Sequence, residues 1–200
     1  RDGAYEERME RLKAKAEKIR VGDPADPKTL VGPMITRAQY ETVLRYLDGA
    51  PSEGYRDVCG GGKLKMPARL NRGYWVQPTI LDGVRRGMKV HDEEIFGPVL
   101  SVVRFKDEAA AIALSNGVEY GLSGSVWTAN GERALRLVKA LDTGIIWVNT
   151  MLTGYPQIPV PPHKLSGTGV ELGMEGLLAY CKRKSAMLGY DDTAPVGWGL

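Results

Sequence analysis

Between residues 99 and 149 the chain alternates two kinds of pattern. Residues 99–105, 122–128 and 145–149 are short apolar runs rich in β-branched side chains, while the stretches between them, opened by Asp107 and by Gly131, carry helical spacing and close at Asn116-Gly117 and Leu141. Strands joined through helices pair in parallel, because a parallel neighbour needs a crossover that returns the chain to the same end of the sheet. Such a sheet is covered on both faces. The alternation therefore predicts an α/β fold, a largely parallel sheet with helices on both faces.

Upstream, residues 4–19 place Tyr5, Met9, Leu12, Ala16 and Ile19 at spacings of three and four, an apolar stripe on an otherwise charged helix. Gly22-Asp23-Pro24 and Asp26-Pro27 break it, and Gly32-Pro33 extends an irregular connection up to Thr36. Thr36 is the expected N-cap of a second helix with Tyr40, Val43, Leu44 and Leu47 on one face, closed at Gly49 and Pro51. Tyr55-Arg56-Asp57-Val58-Cys59 reads as a strand stopped by Gly60-Gly61-Gly62, and residues 63–72 as an exposed basic hairpin loop. Residues 73–81 return as an extended segment that Pro78 assigns to a sheet edge or a bulge. Downstream, residues 153–162 form a proline-rich loop, and Ser166-Gly167-Thr168-Gly169 leads into a helix over 170–180. Residues 181–190 alternate like a strand that is not packed on both sides; with Lys182 and Lys184 outward, it is suited to pairing outside the domain. Residues 191–200 read as a loose tail.

One corner presents chemistry. His91-Asp92-Glu93-Glu94-Ile95-Phe96-Gly97-Pro98 sets two carboxylates, a ring and a Gly-Pro turn ahead of the run at 99–103, the place where α/β domains build ligand edges. The plainer alternative is a helix-to-strand corner stapled by Phe96. Glu93 and Glu94 are adjacent and point apart, so at most one faces a ligand. A hydrophobic share of 43%, a charged share of 26% and a net charge of +3 describe an ordinary globular protein and press no case for nucleic acid. Two cysteines are too few for a disulfide framework and fit a reducing compartment, hence a cytoplasmic location; no signal peptide or membrane-length apolar run is present. The charged helical sequence from Arg1 onward is what the inside of a longer protein looks like.

Searches for self-contained catalytic patterns fail. Gly62-Lys63 lacks the earlier glycine of a phosphate loop, and Gly121-Leu122-Ser123-Gly124-Ser125 has Ser where a nucleophile elbow needs its closing Gly. Gly167-Thr168-Gly169 with Gly173 is one residue too long for a dinucleotide fingerprint. His91 and His163 have no metal-ligand partner at helical spacing, so no metal site is expected. Cys59 is the one nucleophile to weigh, against the plainer reading of a small cysteine at a strand end.

At Glu93-Glu94-Ile95-Phe96-Gly97-Pro98-Val99 the chain resembles the aldehyde dehydrogenase superfamily. Further landmarks of that family follow in order: Val21-Gly22-Asp23-Pro24, Gly32-Pro33, Cys59-Gly60-Gly61-Gly62, Gly73-Tyr74-Trp75-Val76-Gln77-Pro78-Thr79, Tyr120-Gly121-Leu122, residues 144–149, and Lys164-Leu165-Ser166-Gly167-Thr168-Gly169 with Glu171-Leu172-Gly173. The resemblance implies oxidation of an aldehyde to an acid with NAD or NADP: a cysteine attacks the aldehyde, hydride passes to the nicotinamide, and a glutamate-activated water releases the acid. By motif position it makes Glu94 the holder of the nicotinamide ribose and Phe96 a wall beside the nicotinamide. Asn149, Thr150, Gly154 and Val160 would line the aldehyde tunnel, with Lys164 and residues 166–169 as supports. The strand bounded by Cys181 and Leu188 is similar to the family's oligomerisation strand, which would make the protein a homo-oligomer.

The departures matter. The family's nucleophile, general base and main dinucleotide-binding domain lie upstream of the matched segment, so no catalytic residue is expected in this chain, and Cys59 matches a different position. Val160-Pro161-Pro162-His163 stands where many members carry Phe-Gly-Gly, and Val170 where Arg is common; the first change removes an aromatic and stiffens the loop, so substrate preference does not carry over. The expectation is a C-terminal portion of an aldehyde dehydrogenase, inactive alone: residues 1–165 from the catalytic domain, 166–180 a connecting helix, 181–200 the oligomerisation strand and tail. The alternatives are a non-catalytic scaffold or assembly module derived from that fold, and a nucleotide-binding domain using Glu94 without redox chemistry.

Overall fold

In the computed structural model of the chain, residues 5–188 are described. Helix α1 (Tyr5–Ala16) leads through turns to α2 (Arg37–Leu47) and the single turn α3 (Ala50–Glu53); then come β1 (Arg56–Cys59), β2 (Thr79–Val84), the turn α4 (Lys89–Asp92) and β3 (Val99–Val103). The second half runs α5 (Glu108–Asn116), β4 (Tyr120–Gly121), β5 (Ser123–Val126), α6 (Gly131–Ala140), β6 (Ile145–Val148), β7 (His163–Lys164) and α7 (Gly173–Ala179).

The caps read from the sequence, Thr36 and Asp107, open their helices, and Asn130 adds a third ahead of Gly131. Thr36 Oγ1 accepts from Gln39 N at the start of α2, Asp107 Oδ1 from Ala110 N on α5, and Asn130 Oδ1 from Arg133 N on α6. Pro51 does not end the helical region; it falls in the first turn of α3, where a proline costs no hydrogen bond.

The sheet is mixed and divided, not one largely parallel array. β1-β2-β3 form one sheet, β1 antiparallel and β3 parallel to β2; β5-β6 are a parallel pair and β4-β7 an antiparallel one. β1 and β2 are antiparallel because they are joined by the basic loop, a hairpin connection: Leu64 N donates to Trp75 O at 3.1 Å and Gln77 N to Gly62 O at 3.0 Å. β2 is central, not an edge. Pro78 lies one residue ahead of the ladder, where its missing N–H is not required, and the first bond is made by Thr79 N to Pro98 O at 2.9 Å.

Helices do cover both faces of this three-stranded sheet. Side chains alternate along β2, and four consecutive residues of it are buried. Leu81 joins Val43 and Leu47 of α2, with Tyr55, Val76, Val84, Met88, Val90 and Ile95, in the main core. Asp82, on the opposite face, receives the Tyr5 hydroxyl from α1 and both Nε and Nη2 of Arg56 at 3.1 and 2.6 Å.

The C-terminal part departs from expectation at two places. The last helix starts at Gly173, not 170, because Glu171 pairs with Val160 and Leu172 and Gly173 take left-handed backbone angles. Residues 181–188 are exposed and form no strand, since no strand among the described residues offers them a ladder. The tail at 191–200 and the end of the expected strand at 189–190 lie outside the described residues.

Candidate functional site

Ile95 is 9% exposed and belongs to the core, while its neighbours Glu94 and Phe96 are exposed, Phe96 at 74%. Phe96 also has φ +53°, a left-handed backbone that disfavours every residue with a Cβ. Gly97 follows because nothing larger fits: a Cβ there would stand 2.5 Å from Val43 Cγ2 on α2. Ile95 and Gly97 thus press the corner onto α2, and Phe96 is left outside with Glu94.

Two further ties hold the corner. Gln39 Nε2 donates to Ile95 O at 2.8 Å and to Phe96 O at 2.9 Å. Tyr46 Oη donates to Glu93 Oε2 at 2.7 Å, and that bond, with burial, raises the Tyr46 phenol to about 12. Glu93 is therefore engaged structurally, whereas among the described residues no hydrogen bond or ion pair holds the Glu94 carboxylate. Of the adjacent pair, Glu94 is the one available to a ligand. Behind the turn, Gly97 and Pro98 border an apolar trough of about 500 Å³ lined by Leu12, Ile19, Val31, Ile80 and Leu100.

The segment after β6 is a second region of strain. Asn149 has φ +54°, and its amide is used on the backbone: Nδ2 donates to Thr128 O at 2.9 Å and Oδ1 accepts from Thr128 N at 2.8 Å. The Thr150 carbonyl accepts from Ser125 Oγ at 2.8 Å, and Trp147 Nε1 donates to Thr153 O at 2.8 Å. Gly154 stands in open space, and Val160 is bridged to Glu171. The loop returns tightly over β6, for a Cβ on Gly144 would lie 1.5 Å from Pro161 O. Lys164 Nζ then donates to Asn116 O at 3.0 Å and Val118 O at 3.1 Å, and Gly121 N donates to Ser166 Oγ at 2.9 Å, so Lys164 and Ser166 fasten the end of the loop to the region after α5. Among the described residues no hydrogen bond or ion pair joins this loop to the Phe96 corner. Each is braced on its own.

Cys59 is half-buried where β1 ends, and Cys181 is exposed. Among the described residues no three metal-ligating side chains of His, Cys, Asp or Glu converge, and no helix is long and apolar enough to cross a membrane. Sequence reasoning missed Gln39. Its one local signal is the Thr36-x-x-Gln39 spacing of a capping box, in which the Gln bonds back to the cap; here the amide reaches across to the corner instead.

A ring on a strained backbone, beside a carboxylate that no hydrogen bond or ion pair holds among the described residues, makes a fitting ligand edge at the mouth of a parallel strand on this mixed α/β scaffold. The chain belongs to the aldehyde dehydrogenase family, whose family model matches residues 1–186. It is 39% identical over 197 residues to the acetaldehyde dehydrogenase of Pseudomonas aeruginosa, covering 98% of this chain and 38% of that protein. It is 36% identical over 190 residues to the chloroplastic betaine aldehyde dehydrogenase of Atriplex hortensis, covering 95% and 37%. The crystal structure of betaine aldehyde dehydrogenase from Staphylococcus aureus in complex with NAD+ superposes with a TM-score of 0.84 at 32% identity, over 90% of this chain and 36% of that one. The chain thus spans well under half the length of these relatives.

Proposed function

We propose that the chain is the C-terminal portion of an NAD(P)-dependent aldehyde dehydrogenase that oxidises a small aldehyde to a carboxylic acid. Residues 1–165 contribute the later part of the catalytic domain, 166–180 the connecting helix and 181–200 an oligomerisation strand and tail; the cysteine nucleophile and general base come from outside this chain. The observation that carries the reading is the Phe96 corner, where an exposed ring is held in a disfavoured backbone next to a carboxylate that no hydrogen bond or ion pair holds among the described residues. Those two groups fit a nicotinamide ribose, since a carboxylate accepts hydrogen bonds from vicinal hydroxyls and a ring covers a planar heterocycle. The relative crystallised with NAD+ and the relatives named for acetaldehyde and betaine aldehyde support the cofactor and the substrate class.

In this reading Glu94 holds the ribose, and Phe96 limits the tilt of the nicotinamide and keeps water from one side of it. Bound NAD(P) supplies the hydride acceptor. The loop carrying Asn149, Thr150, Gly154 and Val160 borders the aldehyde, its backbone fixed by the Asn149–Thr128 clamp. Glu94→Gln in the full-length protein tests this. A deuterated aldehyde should show a hydride step slowed about tenfold, with attack on the aldehyde unchanged; an unaltered hydride step overturns the reading.

A further inference from the structure

We propose that His91 heads a binding site for a small hydroxylated aromatic molecule, a phenol or an aromatic alcohol, in a cavity between α4, the end of β3 and α5. The cavity has a volume of about 350 Å³ and is walled by Val103, Phe105, Ala111, Leu114 and Val118, with His91 on its lining. The His91 side chain is only 7% exposed. A buried imidazole calls for a partner at each ring nitrogen. Nδ1 has one in Asp92 Oδ1, whereas among the described residues no hydrogen bond reaches Nε2.

The partners of Asp92 set what Nε2 can bind. Its Oδ2 accepts from Gly87 N at 3.0 Å, which fixes the carboxylate and leaves Oδ1 for the ring. A carboxylate only accepts, so Nδ1 carries the hydrogen and Nε2 of the neutral ring is an acceptor. The ligand must therefore bring a donor, which a hydroxyl supplies. An anionic acid is disfavoured, because its carboxylate would meet another acceptor with Asp92 behind it. The short helix that carries the pair is itself pinned: Ser101 Oγ donates to Val90 O at 2.6 Å, and Lys89 N to Glu53 Oε2 at 2.9 Å. The walls dictate the body of the ligand. A held water needs two to four polar partners, and the lining offers two polar side chains, His91 and the exposed Ser115. An apolar cavity of about 150 Å³ takes benzene, so this one has room for a substituted ring. Phe105, 51% exposed, gives that ring a face to pack on.

The site does not depend on the reading of the Phe96 corner, and its test needs no turnover. Ligand-detected magnetic resonance on the full-length protein compares 4-methylphenol with its methyl ether, which has no donor, and with 4-methylbenzoate. Wild type should bind 4-methylphenol with a dissociation constant of about 1 mM or tighter, and the other two about tenfold more weakly, as the loss of one hydrogen bond predicts. His91→Leu should weaken 4-methylphenol about tenfold and leave the ether unchanged. Ala111→Phe, which fills the cavity, should remove one site per chain for both. Wild-type crystals soaked in 4-bromophenol should show anomalous bromine signal in this cavity, with the hydroxyl within hydrogen-bond reach of His91 Nε2. The inference is overturned by bromine found only elsewhere, by no preference for 4-methylphenol over its ether, or by a Leu variant that binds it as tightly as wild type. Should a variant not fold, the wild-type crystal and the comparison of probes decide the matter alone.

Discussion

Phe96, Asn149, Leu152 and Lys164 all adopt positive φ, and all lie in segments singled out from the sequence as cofactor edge, tunnel loop or its support. Left-handed backbone on residues with side chains is retained where surrounding contacts over-determine it, which is why it gathers at working corners. Gly97 shows how tight the restraint is. Gly97→Ala would drive a methyl into Val43, itself fully buried, and should destabilise the protein by about 1–3 kcal/mol, measured by urea unfolding. Asn149→Ala removes both bonds to Thr128 and places alanine at a left-handed angle, so a loss of about 1–3 kcal/mol is expected in the same assay. At this scale the proposal for Glu94 and Phe96 could be made from the sequence because the motif that suggests them lies within one stretch of chain. Gln39 could not: its partners are 56 and 57 residues away, and a side-chain-to-carbonyl bond leaves no periodicity in a sequence.

Elements were legible where a local rule fixes them and misread where a distant partner decides. The Thr36 and Asp107 caps needed only neighbouring residues. The two-residue strands β4 and β7 are defined by pairing Tyr120 with Lys164 and Gly121 with His163, which no local pattern announces. Pro78 marks no sheet edge, because the ladder of β2 begins one residue later, at Thr79. The join of α1 to β2 carries a pH signature. Burial of Asp82 opposes its charge, but hydrogen bonds from Tyr5, Arg56 and Gly83 N outweigh it and hold the carboxyl below its ordinary value of 3.8. Because the folded value lies below the unfolded one, this stabilisation is complete above the unfolded value and is lost as pH falls through the folded one. Asp82→Asn should therefore be less stable than wild type at about pH 6, with the gap closing toward about pH 2, when urea midpoints are compared across that range. A gap independent of pH would assign the effect to packing.

For the molecule as a whole, the α/β class followed from strand and helix alternation, but the division of the sheet did not, because ladder partners are chosen in space. The same reasoning applies to residues 181–188. Their sequence alternates like a strand, yet strand is a relation between two chains or segments, and these residues are exposed and pair with no strand among the described residues. They continue from an apolar surface: Met174, Leu177 and Tyr180 are 67%, 59% and 94% exposed, and Met187 is fully so. A surface of that kind next to an exposed segment of alternating sequence suits β-addition to a second copy, in line with the oligomerisation role proposed above. Ser185→Pro removes one backbone donor and pins φ without touching the core. In the full-length protein, sedimentation should show this variant shifted to a smaller species at equal concentration, its near-ultraviolet circular dichroism unchanged. An assembly of unaltered size would mean that subunits join through some other surface.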